Sequence, residues 1–71
     1  MSDAGISIRV NGERREVPSG QTVSGLLETV GLAGRPVVVE RNGAALFPRE
    51  FPVTRLEEGD RVEIVMVVAG G

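Results

Sequence analysis

An α+β domain, with one main helix laid across one face of a small mixed sheet of four to five strands, is the fold class this 71-residue chain predicts. Three observations carry the prediction. Apolar residues alternate at period two near both ends, at Ile6, Ile8 and Val10 and again at Val62, Ile64 and Met66. Between these runs the period becomes helical, with Val23, Leu26, Leu27 and Val30 at i, i+3, i+4 and i+7. Asn11-Gly12 and Asn42-Gly43 are strong hairpin signals, and each follows a strand-like run. The length allows one domain, whose core supplies about 3–5 kcal/mol of net stability at most.

Taken in order, Ile6 to Val10 reads as a half-buried strand that turns at Asn11-Gly12 into a return strand, about Glu13 to Val17. The return strand is strongly charged and weakly patterned, as expected at a sheet edge, and Pro18-Ser19-Gly20 breaks it. Thr22 is the expected N-cap of the helix, and Gly31 stands where a left-handed glycine stops one, with Leu32 supplying the accompanying apolar contact. Gly25 inside the helix costs about 1 kcal/mol relative to alanine and suggests a close backbone approach there. Val37-Val38-Val39 begins a strand that runs to Arg41, and Ala44 to Phe47 adds a short one after the second Asn-Gly turn. Pro48 and Pro52 impose an irregular stretch that Leu56 anchors to the core. Glu57-Glu58-Gly59-Asp60 then turns the chain into the last strand, Arg61 to Val68. This order is that of the β-grasp architecture, with the first and last strands as parallel neighbours at the sheet centre.

Composition excludes much of the usual chemistry. The sequence has no cysteine and no histidine, so it has no disulfide, no thiolate nucleophile and neither of the commonest metal ligands. Phe47 and Phe51 are its only aromatics, too few for a base-stacking platform. Eight basic residues, all arginine, stand against ten acidic ones without charge blocks, which argues against a nucleic-acid or anionic-membrane surface. The first residues lack the basic and apolar regions of a signal peptide, and no run approaches the roughly 18 apolar residues of a membrane span. A cytoplasmic location is the expectation.

The last strand carries the functional signal. Val62, Ile64, Met66 and Val68 share one phase, expected to pack on the helix, and Arg61, Glu63, Val65 and Val67 share the other. A sheet covered on one side by a helix should be polar throughout on its open side. Val65 and Val67, with Val38 in the outward phase of the preceding strand, are therefore read as an apolar docking patch. Residues 1–68 are expected to form the domain, and Ala69-Gly70-Gly71 a flexible tail beside this patch. Glycine lacks a Cβ and can pass through a channel too narrow for a side chain. Three residues reach about 10 Å, enough to present the Gly71 carboxylate inside a partner's active site.

The chain resembles the sulfur-carrier protein of thiamine biosynthesis, the ThiS-like family of ubiquitin-like β-grasp carriers. The resemblance runs through Val10-Asn11-Gly12-Glu13, Gln21-Thr22-Val23, Leu26-Leu27, Val38 to Gly43, Pro48-Arg49, Glu58 to Ile64 and the diglycine Gly70-Gly71. Between Arg49 and Leu56 the tryptophan of many members is absent. The resemblance implies a carrier with no catalytic group and no bound cofactor of its own. An E1-like adenylating enzyme would use ATP and magnesium to form an acyl-adenylate on Gly71, with Gly70 and Ala69 threading the tail. Sulfur from a cysteine desulfurase or similar donor would then give a thiocarboxylate, which delivers sulfur to thiazole synthase or another sulfur-accepting synthase. Within the same class stand the small subunit of molybdopterin synthase and other sulfur carriers. From a different class stand regulatory β-grasp binding modules, which have no need of a free diglycine.

Overall fold

The computed structural model describes residues 5–68. Among the described residues the strands are β1 (Gly5–Val10), β2 (Glu13–Pro18), β3 (Val37–Arg41), β4 (Ala44–Leu46) and β5 (Arg61–Met66), and the one α-helix is α1 (Val23–Thr29). The strands form a mixed sheet in the order β2-β1-β5-β3-β4, and α1 crosses one face of it. β1 pairs with β2 antiparallel and with β5 parallel, and β3 joins β5 to β4 through antiparallel ladders. The charged β2 is an edge, as its composition predicts.

Both Asn-Gly turns hold two consecutive residues at positive φ, 51° and 85° at Asn11 and Gly12 and 52° and 87° at Asn42 and Gly43, as tight hairpin turns require. The asparagines do more than turn the chain. Asn11 Nδ2 donates to the Ile64 carbonyl at 3.1 Å and its Oδ1 accepts from the Ile64 N–H at 2.7 Å, so the side chain acts as one more peptide group in the β1–β5 ladder. Asn42 Oδ1 similarly accepts from the Arg61 N–H at 2.8 Å.

The ends of α1 are closed by the expected residues. Thr22 Oγ1 accepts from the Gly25 N–H at 3.1 Å, while the Val23 and Ser24 amides donate to the Thr54 and Phe51 carbonyls of the loop after β4. At the other end Gly31 takes φ 80°, and the Leu32 and Gly31 amides donate to the Leu27 and Glu28 carbonyls, a complete Schellman stop. Gly25 does not meet another backbone: a Cβ there would lie 3.1–3.3 Å from the Gln21 side chain, which folds over it.

Ile8, Val17, Val39, Val62 and Ile64 from the sheet meet Val23, Leu26 and Leu27 from the helix, and Phe51 and Leu56 close the core from the loop. Leu56 anchors that loop as expected. A short 3-10 turn, Pro48–Glu50, sets Phe51 inward, where it is 8% exposed, a core role its irregular surroundings did not reveal. Two inward expectations for the last strand fail. Met66 is 36% and Val68 79% exposed, because seven helical residues span about 10 Å whereas the positions from Val62 to Val68 span about 20 Å of strand. No helix among the described residues is long and apolar enough to cross a membrane.

Candidate docking face

The sheet face opposite α1 carries the outward phase of every strand. Register places Val65 of β5 directly opposite Val38 of β3, and the two are 58% and 43% exposed. Val67 is also exposed, and its N–H donates to the Pro36 carbonyl at 2.8 Å, continuing the β3–β5 association one residue past the strand. Val38, Val65 and Val67 therefore lie at one end of the open face, where the described chain ends. Ala69, Gly70 and Gly71 lie outside the described residues.

One member of this apolar end was not foreseen. Leu46 pairs with Val39 on the inward side, and Phe47 follows it with extended backbone, φ −77° and ψ 149°, so Phe47 falls on the outward side next to Val38. Phe47 is 60% exposed, with the Arg49 guanidinium 4.8 Å from its ring centroid. Glu50 fixes this corner, its carboxylate accepting from the Phe47 N–H at 2.9 Å. The signal available in the sequence was the alternation Ala45, Phe47 against Val38, obscured by the proline that follows.

At the opposite end of the face the loop before β5 is held by a buried acid. Asp60 is 5% exposed, and its Oδ2 accepts from Arg41 Nε at 2.8 Å and from the Glu57 N–H at 2.9 Å, while Oδ1 accepts from Asn42 Nδ2 at 3.0 Å. Burial pushes this carboxyl up, but the bonds from Asn42, Arg41 and the Glu57 amide, with the arginine charge, outweigh it and hold the group below its usual range. Asp60 ties the second Asn-Gly turn to the start of β5, and so sets the register in which Val65 meets Val38.

The described residues thus form a β-grasp domain with an exposed apolar end on its open face. The chain matches the family model described as "ThiS family" over residues 8–71 and belongs to that family. It is 37% identical over 62 residues to the sulfur carrier protein ThiS of Thermus thermophilus, covering 87% of this chain and 95% of that one. It is 36% identical over 66 residues to a thiazole synthase of Magnetococcus marinus, covering 93% of this chain but spanning only 20% of that protein's length. Among solved structures, the thiamine biosynthesis protein ThiS of Geobacter metallireducens superposes with a TM-score of 0.80 at 32% identity, covering 93% of this chain and all of that one.

Proposed function

We propose that this chain carries sulfur as a C-terminal thiocarboxylate on Gly71 and delivers it for the thiazole moiety of thiamine, in the cytoplasm and as a substrate of other enzymes. The observation that carries this reading is the family match, whose bounds, residues 8–71, include Gly70-Gly71. The near full-length similarity to a protein named sulfur carrier protein ThiS supports it.

The chemistry follows from the carboxylate. An α-carboxylate, with a pKa of about 3.3–3.7, is ionised at neutral pH and is a poor electrophile. It must first be activated, and the chain has no histidine, cysteine or lysine with which to do so. An adenylating partner would supply ATP and magnesium, form the acyl-adenylate on Gly71, and let donor-derived sulfur displace AMP. The thiocarboxylate sulfur is then a soft anionic nucleophile of the thiolate kind. A thiazole synthase is the acceptor this reading selects, since the Magnetococcus marinus protein of that name contains a stretch similar to nearly this whole chain.

The test is the intact mass of the untagged protein before and after incubation with an adenylating enzyme, ATP and a sulfur source from the same organism. The expected result is the gain of one sulfur for one oxygen on the peptide ending at Gly71. No change, with an enzyme active on another carrier, would overturn the reading.

Docking is assigned to Val38, Val65 and Val67, with Phe47 extending their row. Val65→Asp is expected to weaken binding of the adenylating enzyme by about 1–2 kcal/mol. Because Val65 is 58% exposed, the same change should move folding stability by about 0.5 kcal/mol or less. Calorimetric titration and thermal melting of the one variant check both halves.

A further inference from the structure

The open face is banded in a way that folding alone does not explain. Register sets Arg9 of β1 directly opposite Arg14 of β2 on one side and beside Arg61 of β5 on the other. Their neighbours Ile8 and Val62 are buried on the helix side, so all three arginines project from the open face as one row across three strands. The next outward pair, Glu63 and Glu40, is again alike, directly opposed on β5 and β3, and the pair after that is Val65 with Val38. Like charges directly opposite one another destabilise a sheet, whereas alternating the same residues would have stabilised it.

The arginine row is only partly offset within the domain, where Arg61 shares a shallow recess with Glu40 and Glu63. Among the described residues the only carboxylates within 4.0 Å of a basic group are Glu16, 3.6 Å from Arg14, and Asp60, beside Arg41. Among the described residues Arg9 reaches the Gly12 carbonyl at 3.4 Å and no carboxylate within 4.0 Å. Glu58 shares with the three arginines the lining of a shallow recess of about 390 Å³, but its carboxylate is engaged by the Ser7 N–H at 2.9 Å. Arg9 and Arg61 are exposed, and their charge is directed outward.

From this juxtaposition we infer that the row Arg14-Arg9-Arg61 is a second docking element, which seats an acidic patch on the thiazole synthase that receives the sulfur. The row and the Val65–Val38 pair are four residues apart along β5, about 13 Å. The matching surface therefore carries an apolar seat and, about 13 Å away, a cluster of carboxylates. Two unlike anchors at that separation fix the rotation of the carrier on its partner, which a single apolar patch does not, and so set where the tail is delivered. Charge of this kind acts mainly on encounter rate and on orientation.

The inference rests on the carrier reading for its partner, the thiazole synthase of the same organism, which serves as the probe. Arg9→Glu places a carboxylate between two arginines and touches no buried group. In the isolated domain it is expected to raise the melting temperature by a few degrees, while weakening synthase binding about tenfold at low salt, mostly through the association rate. That loss shrinks as salt is raised, because exposed charges are screened. Arg55→Glu, the same charge change at an exposed loop residue that bonds the Gly20 carbonyl beside the helix N-cap rather than standing on the open face, should leave synthase binding near the wild type. Equal binding by wild type and Arg9→Glu would overturn the arginine-row proposal and leave the carrier reading intact. Failure of the wild type to bind the synthase would remove both. Binding of a short RNA duplex by the wild type, lost in Arg9→Glu while synthase binding is unaffected, would give the row to nucleic acid and overturn the proposal.

Discussion

Asp60→Ala is expected to cost about 3 kcal/mol of folding stability, most of what a domain of this size holds. The substitution leaves Arg41 Nε, Asn42 Nδ2 and the Glu57 N–H without their acceptor. Removing one partner of a buried ion pair costs about 3–5 kcal/mol. The loss falls at the lower end because the Arg41 side chain is 27% exposed and can regain water. The same carboxylate makes stability depend on pH. Its folded pKa is held below the ordinary value, so at acid pH the unfolded chain binds more protons and stability rises with pH. The contribution is complete above the unfolded value of about 3.9 and is lost as pH falls through the lower, folded value. Asp60→Asn removes this titration and should flatten the acid limb of a urea-denaturation series. Equal limbs in the two proteins would assign the acid loss to other carboxylates.

Gly70→Val should lower the rate of adenylation about 100-fold, the scale expected when a reacting group is misplaced by about 1 Å. A β-branched side chain both widens the thread and restricts its dihedrals. The melting curve should be unchanged, because the buried core is built from residues between Ile8 and Ile64. Single-turnover release of pyrophosphate with the adenylating enzyme measures the effect, and Gly70→Ala should fall between the two. Full activity in Gly70→Val would remove the threading argument while leaving the docking residues untouched.

These two variants separate what the residues disclose by themselves from what they disclose only when folded. The helix was readable because its stripe, Thr22 cap and Gly31 stop are local, and each acts through neighbours within one turn. The hairpins were readable for the same reason, since Asn-Gly supplies two positive-φ residues without help from elsewhere. The outward phase of Val38 and Val65 followed from strict alternation, which cannot slip without turning Val62 and Ile64 out of the core. The diglycine, which lies outside the described residues, is the plainest sequence signal for the proposed function, because no other residue type can make so thin a thread.

Pairing across strands and closure by loops were decided only by tertiary structure. Asp60 stood in sequence as a turn acid. It is buried because Arg41 and Asn42, some eighteen residues earlier, arrive beside it when β3 pairs with β5. Phe47 and Phe51 each precede a proline in one irregular stretch, and the 3-10 turn between them sends Phe51 into the core and leaves Phe47 on the open face. Met66 and Val68 kept the apolar phase yet lie exposed, since alternation fixes direction but the helix length fixes how much of the strand is covered. The row of arginines is the clearest case. Arg9, Arg14 and Arg61 are unremarkable along the chain, and they become a single charged band because register, a property of paired strands, sets them side by side.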